Sequence, residues 1–205
     1  MSIYALARAI FAVLLAAIFS LPVQSAETSG QILGGAPDAP IRIEVFSDFQ
    51  CPSCRGLYLD VMRRVLSDYS SQNKVCVVYH EFPLQIHRYS REAALYAEAV
   101  SRLGRQQLLK VYDSLFMDQA QWGEDGKLEV SISKAISLAD LEKVKKIMQD
   151  PGINATVEKE IRLGMQNQIE STPTFFIYSG QKQLQKVVGL LSYVSLKTYL
   201  NTIIK

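Results

Sequence analysis

The stretch Glu44-Val-Phe-Ser-Asp-Phe-Gln-Cys-Pro-Ser-Cys54 decides how this chain is read. An apolar strand runs into a short Ser-Asp turn and then into a Cys-x-x-Cys pair, Cys51 and Cys54. Beyond the pair, Arg55-Gly-Leu-Tyr-Leu-Asp-Val-Met-Arg-Arg-Val-Leu66 sets Leu57, Val61, Val65 and Leu66 at helical spacing. A helix is therefore expected from about Cys51 to Tyr69, with Cys51 at its first turn and Cys54 one turn further in. Pro52 suits that place, because first-turn amides have no intrahelical acceptor and proline has no amide hydrogen to leave unpaired. Unpartnered N–H groups and the helix dipole favour negative charge there and lower a thiol's pKa. A thiolate beside a second thiol is the apparatus of thiol–disulfide exchange.

Outward from this stretch, Ile41-Arg-Ile-Glu-Val-Phe46 alternates and reads as a strand with Ile41, Ile43 and Val45 on one face. Ser70–Asn73 is a turn, and Lys74–Phe82 is a second strand. Its nearly unbroken apolar run suits burial on both faces of a parallel sheet, joined by a right-handed crossover. Ala26–Pro40, rich in Gly, Ala and Pro with little periodicity, reads as a leader arm. From His87 to about Glu170 the pattern is helical. Ser90 is a candidate N-cap for a stripe of Ala93, Tyr96, Ala97 and Val100. Gly104 marks a break before Leu108, Leu109, Tyr112, Leu115 and Phe116. Leu138, Leu141, Val144 and Met148 form a third stripe stopped by Pro151-Gly152, and Ile153, Val157, Ile161, Met165 and Ile169 a fourth. Asp118–Lys127, with Trp122, Gly123 and Gly126, reads as a loop. Thr174–Tyr178 and Leu184–Val188, separated by Ser179-Gly180, form an antiparallel hairpin. Ser192–Ile204 closes the chain as a helix with Leu196, Tyr199, Leu200 and Ile203 inward.

The composition is that of an ordinary globular protein: 205 residues, 48% hydrophobic and 20% charged, enough for one well-buried domain. A net charge of +2 with no basic run argues against nucleic acid as a partner. Residues 1–25 carry one charged side chain, Arg8, then the apolar run Ala9–Phe19, then Ser20-Leu-Pro-Val-Gln-Ser-Ala26. A charged start, an apolar middle and a small-residue exit are the layout of a secretory signal peptide. Cleavage after Ser25 puts Val23 and Ser25 at the recognition positions; cleavage after Ala26 puts Gln24 at one of them. The rival reading is an uncleaved anchor, for which the apolar run is short. The expected location is periplasmic or otherwise extracytoplasmic. In such an oxidising compartment a Cys pair is read as a disulfide, structural or catalytic.

The order of elements, together with three phrases, resembles the thioredoxin superfamily and in particular its DsbA-like branch. The phrases are Phe46-Ser-Asp-Phe-Gln-Cys-Pro-Ser-Cys54, His80-Glu-Phe-Pro-Leu84 with His87, Ser90 and the Ala-rich Glu92–Ala99, and Ser171-Thr-Pro-Thr-Phe-Phe176. The resemblance covers roughly residues 36–204. It implies an α/β thioredoxin fold, a central mixed β-sheet flanked by helices, with an inserted helical domain. The division expected is 41–86 and 171–205 for the two parts of that fold and 87–170 for the helical insertion. On this resemblance Cys51 matches the exposed nucleophile and Cys54 the buried resolving thiol. Pro173 matches a cis-proline beside the disulfide, and Thr172 before it leaves an edge free for an extended substrate chain. Pro52 and Ser53 stand between the cysteines, where the archetypal DsbA has a His. Many members carry an acidic residue six positions before the first Cys; here that position is Val45. Glu44, one place off, points to the opposite strand face, so the surroundings of Cys54 are expected to be apolar.

Simpler readings compete at each residue. A zinc site needs four ligands, and Cys76, His80 and His87 lie on or after another strand without ligand spacing, so no metal is expected. A static disulfide across Cys-x-x-Cys closes too short a loop to stabilise much. Cys76, inside an apolar strand, reads as a small buried hydrophobe. His80 and His87 read as structural hydrogen-bonding residues. Asp48 reads as a helix cap or as a like charge that raises the Cys51 pKa. Trp122, Phe116 and Met117 read as core, with an exposed surface for unfolded chains as the alternative.

The expected activity is that of a protein disulfide oxidoreductase needing no cofactor. An oxidase donating the Cys51–Cys54 disulfide to exported proteins through a mixed disulfide comes first. A reductase of the same fold, for instance toward apocytochromes, and a non-catalytic peptide-binding or chaperone module are the alternatives. Expected partners are reduced exported proteins and, by the resemblance alone, a quinone-linked membrane oxidoreductase as reoxidant. The chain is expected to act as a monomer.

Overall fold

The computed structural model describes residues 30–204, so the expected signal peptide lies outside the described residues. At its centre are two parallel strands, β2 (Ile41–Ser47) and β3 (Val75–Glu81), paired from Ile41 opposite Val75 to Ser47 opposite Glu81. The alternation read in β2 holds: Ile41, Ile43 and Val45 are all buried. All of β3 is buried, as its unbroken apolar run requires. Strand β4 (Thr174–Ser179) lies antiparallel on the other side of β2, with Phe46 opposite Thr174. This register positions the site. The chain leaves β2 at Ser47 and enters β4 at Thr174 on the same edge of the sheet, so sequence segments about 120 residues apart meet there. Strand β5 (Lys182–Val188) completes the hairpin with β4.

The fifth strand, β1 (Gln31–Gly34), corrects the reading of Ala26–Pro40 as an arm without structure. It pairs antiparallel with β3, giving the order β1-β3-β2-β4-β5. Four residues are too few to show period two, and the register shifts between Ile32 and Gly34. Gly35 makes the close approach possible: its φ is +76°, and a Cβ there would lie 2.2 Å from the Val75 carbonyl oxygen.

Helix α1 follows β2 as expected, but not as one regular helix. It is α-helical over Pro52–Gly56, π-helical over Leu57–Met62 and α-helical again over Arg63–Asp68. The wider turn brings Tyr58 and Met62 inward beside Leu57 and Val61, while Leu66 is only half-buried. Six helices lie between β3 and β4: α2 (Ser90–Ser101), α3 (Arg105–Met117), α4 (Gln119–Asp125), α5 (Leu128–Ala135), α6 (Leu138–Ile147) and α7 (Pro151–Gln166). Helix α8 (Tyr193–Ile203) closes the chain, with Leu196 and Leu200 buried and Ser192 Oγ accepting from Ser195 N at 3.1 Å.

Several helical details differ from the sequence reading. Asp118–Lys127 is mostly helix α4, whose single large apolar side chain, Trp122, is completely buried and donates from Nε1 to the Leu115 carbonyl at 2.7 Å. Two glycines hid it; Gly126, at φ +74°, does end it. Ser90 is no N-cap, because it is the first helical residue and its hydroxyl is buried without a partner among the described residues. Leu138 is exposed at the head of α6, and Met165 is exposed on α7. The third stripe does stop before Pro151, with α6 ending at Ile147, and Pro151 also opens α7, where Asp150 caps it by accepting from Gly152 N at 2.8 Å. Ile169 lies past the end of α7 and packs with Phe46, Phe82 and Phe176. The main core holds the other sheet face, α1, α8, the inner sides of α2, α3, α5 and α6, Trp122 of α4 and Ile153 of α7.

Candidate active site

The edge where β2 ends and β4 begins carries both cysteines and the Thr172-Pro173 bond, which is cis. Cys51 occupies the N-cap of α1 with extended backbone (φ −76°, ψ 121°), and Pro52 takes the first helical position, as its missing amide hydrogen allows. A turn closed by Cys51 N donating to the Asp48 carbonyl at 3.1 Å aims Cys51 across the sheet edge. Its thiol donates to the Thr172 carbonyl oxygen at 3.3 Å. Thus Cys51, Cys54, Thr172 and Pro173 come together in space. Pro52 is exposed beside them, and Ser53 is half-buried, contributing its main chain rather than its hydroxyl to Cys51.

The two sulfurs differ. Cys51 is 7% exposed and Cys54 1%, and both are free thiols. The Cys51 pKa is lowered to about 5, first by a hydrogen bond from the Cys54 thiol. Burial opposes this; the Thr172 hydroxyl and the main-chain N–H groups of Cys54 and Ser53 add to it. The Thr172 hydroxyl is otherwise buried without a partner among the described residues, so it is free to serve a thiolate. Cys54 is pushed well above the usual thiol range, first by burial and then by Cys51 itself. The pair therefore offers one accessible thiolate near neutral pH and one thiol that stays protonated.

This asymmetry has a measurable consequence. Alkylation of the reduced protein by iodoacetamide is expected at Cys51 alone below pH 8, with a rate midpoint near pH 5. A pKa depressed by folding stabilises the reduced protein above the unfolded pKa, and that contribution is lost as pH falls through the folded value. Stability of the reduced relative to the oxidised protein should therefore rise between about pH 5 and pH 9, measured by paired denaturant titrations. A flat difference across that window would contradict the assignment.

Around the pair the structure reveals residues that sequence reasoning passed over. Gln119, from α4, donates to the carbonyls of Phe49 at 2.6 Å and Cys51 at 3.0 Å. Gln50 donates to the Gly123 carbonyl at 2.9 Å and accepts from Tyr89 N at 2.8 Å. Arg55 Nε donates to the Phe116 carbonyl at 2.9 Å. These side chains tie the helices to the cysteine turn and to α1; nothing in a lone Gln or Arg marks such a role. A shallow pocket of about 640 Å³ opens here, lined by Gln50, Pro52, Arg55, Gln119 and Glu124.

The surroundings of Cys54 are not purely apolar, which corrects the expectation: Asp48 N donates to its sulfur at 3.4 Å and the Ser47 side chain also bonds it. Glu81, at the end of β3, is fully buried; Tyr112 donates a short hydrogen bond to it, and its own N–H donates to Glu160 at 2.7 Å. Burial pushes Glu81 well above the carboxylate range and Glu160 up to about 8. The sequence signal was available: an acidic residue closing an otherwise apolar strand. Glu44 pairs instead with Arg42 at 2.7 Å on the other face. His80 makes no hydrogen bond among the described residues, contrary to expectation. It stacks on Phe46 at 4.6 Å, and burial lowers its pKa to about 4. His87 does bond, to Asp48 at 2.8 Å. Cys76 is buried in β3, as read, and burial raises its thiol above the usual range. Trp122 and Phe116 are core, and only Met117 of that trio is exposed.

Comparison with known proteins yields concordant likenesses. A family model described as Thioredoxin matches residues 27–191. The disulfide bond formation protein D of Bacillus subtilis is 26% identical over 157 residues, 72% of this chain and 68% of that protein. Among solved structures, alpha-DsbA1 of Wolbachia pipientis superposes with a TM-score of 0.73 at 16% identity, covering 92% of this chain and 94% of that one. Oxidised BdbD of Bacillus subtilis gives 0.68 at 22% identity, covering 86% and 93%.

Proposed function

We propose that this chain, which belongs to the thioredoxin family, is a protein thiol–disulfide oxidoreductase that works outside the cytoplasm as a disulfide oxidase. The observation that carries this reading is the split between its two sulfurs: Cys51 lowered to about 5 at the helix start, Cys54 raised and buried. A substrate thiolate attacks Cys51 of the Cys51–Cys54 disulfide. A new S–S bond forms to Cys51, the old one breaks, and its electron pair goes to Cys54, which takes up a proton. A second substrate thiolate then attacks its own mixed sulfur and expels Cys51. The substrate leaves oxidised and the enzyme reduced. A thiol of pKa about 5 leaves readily at neutral pH.

Energetics favour the same direction. At pH 7, lowering a thiol from about 9 to about 5 stabilises the reduced enzyme about a hundredfold, worth roughly 60 mV of added oxidising power at about 30 mV per tenfold. Reduced exported proteins are the substrates in this reading. A quinone-linked membrane oxidoreductase restores the disulfide. The open edge at Thr172, where the carbonyl already accepts the Cys51 thiol, suits pairing with an extended substrate chain.

Trapping tests the mechanism. Oxidised protein of a Cys54→Ser variant, charged as a mixed disulfide with glutathione at Cys51, should accumulate substrate adducts with a reduced unfolded protein. Non-reducing electrophoresis should show them dissolving with dithiothreitol. Adducts absent from Cys54→Ser but present in Cys51→Ser would reverse the assigned roles.

A further inference from the structure

Asp48 lies three residues before Cys51, and its carboxylate is fully buried. A helix cap would be the simplest role for an acid there, but its bonds describe another. Oδ1 accepts from Gln50 N at 2.7 Å. Oδ2 leaves the turn, accepting from Leu84 N at 2.7 Å and lying 2.8 Å from His87 Nδ1. The main chain of Asp48 is equally engaged. Its carbonyl accepts from Cys51 N at 3.1 Å, and its N–H donates to Cys54 Sγ at 3.4 Å. Every polar atom of this residue is therefore committed, and two of the commitments end on the two cysteines.

We infer that Asp48 is a positioning residue for the resolving sulfur, locking the turn so that its own N–H faces Cys54. The inference rests on the disulfide-exchange reading and gives one step of it a structural cause. Whenever a thiolate attacks Cys51 in the disulfide, the electron pair of the broken S–S bond arrives on Cys54. That sulfur is 1% exposed, so water cannot solvate the arriving charge. A fixed main-chain N–H does so without reorganising, as an oxyanion-hole donor does for oxygen. The N–H keeps its aim because Asp48 is anchored outside the turn, at the Leu84–His87 segment. The neighbouring junction is also fixed, since Phe82 N donates to the Ser47 carbonyl at 2.8 Å. Two main-chain N–H groups and the His87 ring surround the carboxylate, so its charge is answered locally.

The experiment separates the step in which Cys54 changes bonding from one in which it does not. With the full chain, the rate of glutathione attack on the oxidised protein reads the first. The pH midpoint of Cys51 alkylation in the reduced protein reads the second. Asp48→Ala should slow glutathione attack by about tenfold, the scale of a lost hydrogen bond to a charged group. Its alkylation midpoint should stay within about half a pH unit of the parent. His87→Ala removes one anchor and leaves both N–H donors, so it should slow attack in the same sense by about threefold. Should Asp48→Ala fail to fold, His87→Ala carries the test alone. Unchanged attack rates in folded variants overturn the inference, as does a midpoint that moves together with the attack rate. Failure of the exchange reading itself would look different: the oxidised parent protein would not react with glutathione at all.

Discussion

A Cys51→Ser variant is expected to lose all catalysis of oxidative refolding, leaving a reduced substrate protein to form its disulfides at the uncatalysed rate. The loss should be complete because every step of the proposed cycle makes or breaks a bond at this sulfur. Cys54 cannot substitute. It is almost fully buried, and its pKa is pushed well above the thiol range, so it is neither reachable nor ionised at neutral pH. A serine hydroxyl preserves the size of the side chain and its hydrogen bond to the Thr172 carbonyl, so the fold should survive. The variant thus separates an enzyme from a module that only binds peptides. A Cys51→Ser protein that still accelerates refolding would remove the oxidase reading, and the open edge at Thr172 would then stand as a binding surface.

The second large effect is structural and reaches the site indirectly. Trp122→Ala should destabilise the reduced protein by about 3–5 kcal/mol, the range for truncating a large buried aromatic. Trp122 is completely buried in the main core, and its Nε1–H hydrogen bond to Leu115 leaves that carbonyl unpaired when it goes. Its helix, α4, begins at Gln119, whose amide holds the carbonyls of Phe49 and Cys51. Loosening α4 should therefore also broaden the Cys51 alkylation profile. Urea unfolding with an unchanged m-value measures the first effect. A loss below about 1 kcal/mol would show that the neighbouring aromatic packing closes around the gap.

What the sequence disclosed and what it hid divide along physical lines. Strands β2 and β3 were legible because burial on one face imposes period two and burial on both imposes an unbroken apolar run. The meeting of Cys51 with Pro173 was legible only through the resemblance, since register across a sheet is a tertiary fact. Strand β1 was hidden because it is short and flanked by glycines. Helix α4 was hidden because one tryptophan suffices to bury it. Asp48 and Gln119 were least legible. Apart from the His87 ring on Asp48, their partners are main-chain groups as far away as Leu84 and Phe49, and no spacing rule records a side chain that bonds to a distant backbone. His80 misled for the opposite reason, being a polar residue that burial and stacking on Phe46 keep neutral.

Whether the pair gives or takes disulfides is settled by one number, the equilibrium reduction potential of Cys51–Cys54 against glutathione. A Cys51 pKa of about 5 lies between the roughly 7 of thioredoxin and the roughly 3.5 of the strongly oxidising DsbA, whose potentials are about −270 and −120 mV. The account predicts a value more oxidising than about −200 mV. A value near −270 mV would contradict it and make the protein a reductase, in need of an electron donor rather than a reoxidant.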